Sequence, residues 1–189
     1  MDVNDLKGLF GEVKKRMDGH IEHVRRELGG VRTGRASVNI LDAVHVEAYG
    51  SSMPLNQVAS LSVPEPSMIV AQPFDPSLMG AVEKAIRSAN LGLNPANDGK
   101  VIRVPVPPLT EERRKELSKL VHKYAEEGRN GVRQVRRDAN DKLKKLLKDS
   151  KISQDDERKG LEEVQKITDQ HVNLIDDIQK KKDTELLGK

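Results

Sequence analysis

Apolar residues recur at alternating steps of three and four along three long segments of the chain. This spacing places them on one side of an α-helix, so each segment is predicted to be a helix with one packing face. The second helix is predicted over residues 111–148 and the third over 154–186. At 1.5 Å per residue they measure roughly 57 and 50 Å, and the first roughly 40 Å, which predicts an elongated antiparallel three-helix bundle. The apolar positions are Val3, Leu6, Phe10, Val13, Met17, Ile21, Val24 and Leu28; Leu117, Val121, Tyr124, Val132, Val135, Ala139, Leu143 and Leu146; and Leu161, Val164, Thr168, His171, Ile175 and Ile178.

Capping signals mark the ends of the second and third segments. Thr110 precedes two glutamates and is predicted to cap the second helix. Residues 149–152 break the pattern, and Ser153 and Asp156 then have the spacing of a capping box, with Asp in place of the usual Glu. The second and third helices are therefore predicted to be separate and joined by a short link.

Two glycines lie inside the second predicted helix, where each costs about 1 kcal/mol relative to alanine. Gly128 lies on the apolar side, where the missing side chain would allow a close approach of another helix. Gly131 lies off that side, and the sequence offers no reason for it.

The segment between the first and second helices has a different character, rich in proline and β-branched residues. Residues 43–49 alternate like a strand and are followed by a predicted turn at 50–52, and 68–72 and 101–104 also have the composition of strands. Residues 76–89 are predicted to form a short helix with Met79, Val82 and Ile86 on its inner face. The fold class predicted is therefore α+β, a three-helix bundle with a small inserted β/α/β domain.

The insertion divides the chain into two domains. The bundle is assigned to residues 1–30 and 106–189, and the inserted domain to 31–105. Two chain crossings, at about 29–34 and 104–109, join them, and two short connections make a restricted hinge that can still rotate. The predicted hinge residues are Val31, Arg32, Thr33, Gly34, Pro105, Pro107 and Pro108.

Positive charge is concentrated on the second predicted helix. The chain has a net charge of +3, yet residues 111–148 alone carry thirteen positive and seven negative side chains. Within this helix, Arg129, Arg133, Arg136 and Arg137 fall within one arc of about 100°. Guanidinium groups suit a row of phosphates better than a small substrate, so the pattern favours a polyanionic partner. The alternative is an ordinary solvated helix face with internal ion pairs.

Carboxylates are numerous, but they are spread along the predicted helices and are not paired in a setting typical of catalysis or metal binding. The chain has no cysteine, and the pair His20 and His23 lacks a third ligand in the sequence. No nucleotide-binding loop or nucleophile motif is present. We therefore expect neither enzymatic activity nor a cofactor or metal. No apolar run reaches the length of a membrane span, so the expected location is the cytoplasm, without membrane association.

Five motifs, in this order, resemble those of the bacterial ribosome recycling factors, and the resemblance extends over essentially the whole chain. They are Val31-Arg32-Thr33-Gly34-Arg35-Ala36-Ser37, Val82-Glu83-Lys84-Ala85-Ile86, Leu91-Gly92-Leu93-Asn94-Pro95, Arg103-Val104-Pro105-Val106-Pro107-Pro108-Leu109-Thr110-Glu111-Glu112-Arg113-Arg114 and Val135-Arg136-Arg137-Asp138-Ala139-Asn140.

The resemblance implies a specific function. Members of this family are L-shaped, with an outline similar to a transfer RNA. With elongation factor G and GTP, they split the post-termination ribosome into subunits and release messenger RNA and deacylated transfer RNA. The bundle binds large-subunit ribosomal RNA, and the second domain pivots against intersubunit bridges. A monomer is expected.

The resemblance also implies which residues bind RNA. The family's RNA-binding arginines correspond to Arg133, Arg136 and Arg137, with Arg114 and Arg32 as accessory positions. Arg129 is added from helix geometry alone. Because only 2% of residues are aromatic, exposed aromatic side chains are not expected, which argues against binding by base stacking. The alternative function is a coiled-coil scaffold or adaptor that does not bind RNA.

Overall fold

The computed structural model describes Met1 and residues 3–187, and the chain divides into two compact units. One comprises Met1–Thr33 and Glu111–Lys189, and the other Gly34–Thr110. In chain order the helices are α1 Leu6–Gly29, α2 Leu55–Val58, α3 Met79–Ser88, α4 Glu111–Lys148 and α5 Gln154–Leu187; 3₁₀ turns lie at Val38–Leu41 and Pro76–Leu78; the strands are β1 His45–Ala48, β2 Ser51–Pro54, β3 Ala59–Glu65, β4 Met68–Pro73, β5 Ala96–Asn97 and β6 Ile102–Pro105. The predicted α+β class is confirmed.

Side-chain pairs fix the directions of the three long helices. Asn4 pairs with Lys151 near the starts of α1 and α5, and Asp18 pairs with His171 further along both helices. The helices α1 and α5 therefore run parallel to each other. Since only residues 149–153 join α4 to α5, α4 runs antiparallel to both.

The bundle core consists of the apolar stripes of these helices. In α1 the stripe begins at Leu9, while Phe10, which the sequence pattern placed on it, is half-buried. In α4 the buried position is Ala125, and the neighbouring Tyr124 is half-buried. In both cases the buried position differs by one residue from the predicted one. The larger neighbours, Phe10 and Tyr124, lie at the edge of the stripe and fit the helical spacing nearly as well as the buried residues do.

The junction between α4 and α5 contains two capping motifs. The Ser153 backbone N–H donates to Asp156 Oδ2 at 3.1 Å, and the Asp156 N–H donates to Ser153 Oγ at 3.1 Å. This confirms the predicted capping box. Before it, Ser150 has a positive φ of 55°, and the N–H groups of Ser150 and Lys151 donate to the carbonyls of Leu147 and Leu146. These bonds close the end of α4 as a Schellman motif, with serine where glycine is usual.

Among the residues that the structure describes, the buried polar side chains of the bundle are Thr168 and His171. Thr168 Oγ1 donates to the Val164 carbonyl at 2.7 Å. Of the His171 ring nitrogens, Nδ1 lies 2.7 Å from the Ile167 carbonyl and Nε2 lies 2.7 Å from Asp18 Oδ1. The Thr168 hydroxyl thus has an acceptor within α5, and the contact of His171 with Asp18 ties α5 to α1.

The inserted unit has a hairpin and a four-stranded antiparallel sheet in the order β3-β4-β6-β5. Tyr49 and Gly50 have positive φ values of 54° and 77°, which is typical of a tight hairpin turn between β1 and β2. The turn therefore ends at Gly50, and Ser51 and Ser52, predicted as turn, belong to β2. The predicted inner residues of the short helix are all buried, namely Met79, Val82 and Ile86.

Candidate nucleic-acid interface

Arg133 and Arg137 lie on the solvent side of α4. Arg137 is exposed, and none of the residues that the structure describes bonds to its guanidinium. The Arg133 side chain is 43% exposed, and its Nη1 donates to Glu126 Oε1 at 3.0 Å and to Asn130 Oδ1 at 3.2 Å. Arg133 is therefore held in place on one side and open on the other.

Arg136 lies closer to α5 than Arg133 does. It is half-buried, and its Nη1 donates to Gln165 Oε1 of α5 at 3.1 Å. Its Nε is buried and has no hydrogen-bond partner in the described part of the chain. The same is true of Asn140 Oδ1, one helical turn further along α4. Because Gln165 is neutral, the positive charge of Arg136 has no carboxylate partner among the described residues.

Arg129 is placed differently from the other three arginines of the arc. Its side chain is only 15% exposed, and its Nε donates to Glu126 Oε2 at 2.8 Å. Its Nη1 donates to Asp176 Oδ1 at 2.6 Å and Gln179 Oε1 at 3.0 Å, both on α5. Helix geometry predicts that Arg129 shares the arc, but the edge of that arc lies against α5. The guanidinium is consequently engaged within the bundle.

The two accessory arginines lie away from this group. Arg114 is half-buried in the first turn of α4, with a buried Nε that has no partner among the described residues. Along α4 it lies about 33 Å from Arg136 at 1.5 Å per residue. Arg32 is exposed in the segment after α1. The structure therefore does not bring Arg114 into the cluster around Arg136.

The predicted hinge residues occupy irregular backbone after α1 and after β6. Val31 is buried, and Gly34 has a φ of 78° that favours glycine. A Cβ at Gly34 would lie 3.1 Å from Leu109 Cγ, so a larger residue would be crowded as well as strained. Thr33 is half-buried; Pro105 ends β6, and Pro107 and Pro108 follow it outside regular structure.

A groove of about 620 Å³ lies between α1 and α4. His20 and His23 line it from α1, and Gly131 lines it from α4. A Cβ at Gly131 would lie 2.5 Å from His20 Cε1, so the glycine makes room for the imidazole ring. The role of Gly131 that the sequence left open is therefore steric. Among the described residues, no three His, Cys, Asp or Glu side chains come together as a metal site.

The expectation that aromatic side chains are not exposed is wrong. In the inserted unit, Tyr49 is 73% and Phe74 68% exposed. The Tyr49 hydroxyl donates to Asp75 Oδ2 at 2.9 Å, which raises the pKa of Tyr49 and brings Tyr49 next to the residue that follows Phe74. The expectation failed because a low aromatic content does not determine whether the few aromatic side chains are buried.

Within the described residues, α1, α4 and α5 are long but too polar to cross a membrane, and no other helix qualifies.

These features define a class of two-unit proteins. One unit is a bundle of long helices with a row of arginines on α4, and the other is an inserted α+β unit. Comparison with known proteins identifies the family. The sequence profile of the ribosome recycling factors matches residues 24–187, and the chain belongs to that family.

Curated relatives and solved structures agree with this assignment. The chain is 55% identical over 174 residues to the ribosome-recycling factor of Rhodospirillum centenum, covering 92% of this chain and 94% of the relative. It is 51% identical over 179 residues to that of Bacillus licheniformis, covering 95% and 97%. A solution structure of a ribosome recycling factor matches with a TM-score of 0.77 at 42% identity, covering 97% of this chain and 98% of that one.

A second structural match has a TM-score of 0.65 at 45% identity and covers 97% of this chain and 99% of its own. It comes from models for the T. thermophilus ribosome recycling factor and the E. coli elongation factor G bound to the E. coli post-termination complex. The likeness therefore extends over both units of the chain.

Proposed function

We propose that this protein recycles ribosomes after translation termination. Together with elongation factor G and GTP, it splits the post-termination ribosome into subunits, and messenger RNA and deacylated transfer RNA are released. The observation that carries this proposal is membership of the ribosome recycling factor family over nearly the full chain. The protein acts as a monomer in the cytoplasm, where its ribosomal partners are.

The bundle binds large-subunit ribosomal RNA through Arg133, Arg136 and Arg137. Their support comes from the positive charge of α4 and from the exposure of Arg137 and Arg133. Arginine contacts to phosphates supply affinity and orientation but little sequence information. Folded ribosomal RNA presents a fixed surface of phosphates, so recognition can depend on shape. Arg114 and Arg32 are proposed as more distant contacts.

The protein itself catalyses no reaction in this proposal. It binds the intact and the split ribosome with different free energies, while the GTPase partner supplies the chemical free energy. The inserted domain pivots against intersubunit bridges at the two chain crossings, 29–34 and 104–109. If Pro107 and Pro108 limit that pivot, replacing both prolines should reduce splitting more than ribosome binding.

The central experiment is a subunit-splitting assay with purified ribosomes, this protein, elongation factor G and GTP. The expected result is splitting that requires all three additions. Ribosomes that remain intact with active elongation factor G would contradict the proposed function.

A binding experiment with large subunits tests the arginine face. Arg136→Ala should weaken binding and reduce the steepness of its salt dependence by about one phosphate contact. Lys145→Ala is the matched control, since it removes one positive charge from an exposed position on the far side of α4. An Arg136→Ala variant that melts normally and binds like the control would remove Arg136 from the interface. Ribosome binding that is insensitive to salt would favour the scaffold alternative.

A further inference from the structure

Glu126 occupies the centre of a hydrogen-bonded chain on α4. Its Oε2 accepts from Arg129 Nε at 2.8 Å, and its Oε1 accepts from Arg133 Nη1 at 3.0 Å. These two arginines, Arg129 first, hold the pKa of Glu126 below its ordinary value, so the carboxylate is charged at neutral pH. The two oxygens thus have separate tasks, one toward an arginine inside the bundle and one toward an arginine at its surface.

The inner end of this chain is firmly anchored. Arg129 is largely buried and bonds to Asp176 and Gln179 of α5 as well as to Glu126. A guanidinium with three acceptors on two helices has little rotational freedom. Arg129 therefore fixes the position of the Glu126 carboxylate relative to the bundle.

The outer end leaves one edge of Arg133 open. Nη1 uses its two hydrogens on Glu126 and Asn130. Nε and Nη2 form the opposite edge, to which none of the described side chains bonds. Two parallel N–H groups at such an edge match a phosphate in bidentate geometry.

We propose that Glu126 is a positioning residue, which holds Arg133 with its Nε–Nη2 edge ready for a phosphate of ribosomal RNA. Arg129 supports it from behind and does not touch the RNA. This inference rests on the proposed function, because it assigns a role within the RNA-binding face.

Because Glu126 is negatively charged, electrostatic repulsion and side-chain positioning predict opposite effects of its removal on RNA affinity. A carboxylate beside an RNA-binding arginine repels phosphate, so electrostatics alone predicts tighter binding when Glu126 is removed. Positioning predicts the opposite, because a released Arg133 side chain must be ordered again on binding. Ordering one long side chain weakens affinity by about 2- to 12-fold.

The test compares Glu126→Ala with Glu127→Ala in equilibrium binding to purified large subunits at fixed salt. Both variants remove one negative charge from neighbouring exposed positions, but among the described residues Glu127 pairs only with Lys123, at 4.0 Å. We expect Glu126→Ala to bind about 2- to 12-fold more weakly than wild type and Glu127→Ala to bind at least as tightly as wild type. Glu126→Gln keeps an acceptor for Arg133 and should lose less affinity than Glu126→Ala.

A double variant separates positioning from a general effect on the fold. In an Arg133→Ala background, Glu126→Ala should cause no further loss, because the side chain that it orients is absent. An equal loss in both backgrounds, or tighter binding by Glu126→Ala alone, would overturn the proposal. Arg133→Ala on its own tests the RNA contact: wild-type affinity there would refute that contact together with the positioning role. Weak binding by Arg133→Ala with unchanged Glu126→Ala would refute the positioning role alone.

Discussion

Replacing Gly128 by alanine should destabilise the bundle, although alanine is the better helix former. A Cβ at Gly128 would overlap Val24 Cγ2 and lie 3.3 Å from Ile175 Cδ1. Val24 is 1% exposed and β-branched, so it has few rotamers to move into. Overpacking of this kind costs about 1–3 kcal/mol, against a helix-propensity gain of about 1 kcal/mol. The expected net loss is up to about 2 kcal/mol, which at its upper end lowers the melting temperature by roughly 4–8 °C.

The assay is thermal unfolding followed by circular dichroism, with the same substitution at two other glycines as controls. At Gly11 a Cβ would meet nothing within 4 Å, so alanine should stabilise the protein by up to about 1 kcal/mol. At Gly131 the obstacle is the His20 ring, which borders an open groove and can move. We therefore expect little net change there. A Gly128→Ala variant that melts as high as Gly11→Ala would refute the close approach of α1 and α4.

Four further predictions concern the capping box, the Asp18–His171 pair and the exposed Phe74. Ser153→Ala should lower the free energy of unfolding by about 1 kcal/mol in urea titration, as for other lost N-caps. Hydrogen bonds from the Ser153 backbone N–H, and to a smaller extent from its side chain, lower the pKa of Asp156 in the folded protein. The carboxylate therefore stabilises the fold at pH values above the pKa that Asp156 has in the unfolded chain. This stabilisation is lost as the pH falls through the lower pKa of the folded state. Asp156→Asn should thus be destabilising at neutral pH and equal to wild type in acid; a constant difference would contradict this. A double-mutant cycle on Asp18 and His171 should give a coupling of about 1.5–3 kcal/mol, and an uncoupled pair would show that the bond is not maintained in solution. Phe74→Ala should change stability by less than about 0.5 kcal/mol, and a larger loss would mean that the ring is buried in solution.

The long helices were predictable because their stripes are long and regular, and the capping box was predictable because two side chains define it. The small strands were harder. Most of β3 is exposed and it contains Pro64, so it lacks the alternation that identified β1. The strand β5 spans only Ala96–Asn97, which is too short for any periodic signal. Both strands are defined by backbone pairing with the strand that follows them in the chain, β4 for β3 and β6 for β5, and not by a side-chain pattern of their own.

The predicted arginine row shows the corresponding limit for a site. A helical projection places Arg129 beside Arg133 and Arg136, but it does not say which side of the arc a neighbouring helix covers. Only the packing of α5 shows that Arg129 faces Asp176. Glu126 was missed for a related reason, since an acidic residue near arginines has no signal of its own in a sequence. Its position three residues before Arg129 and seven before Arg133 was the available clue.

The insertion between α1 and α4 has a consequence for how the protein assembles during its own synthesis. Asp18 and His171 are separated by 153 positions, whereas α4 and α5 are joined by a short link. Closing the longer loop costs more chain entropy and is slower. The unit Gly34–Thr110 has its own core and can fold early, and the α4–α5 hairpin can follow. The nascent α1 must wait for both α4 and α5 to be translated before its apolar stripe is fully covered, which exposes it to aggregation and to chaperones in the meantime.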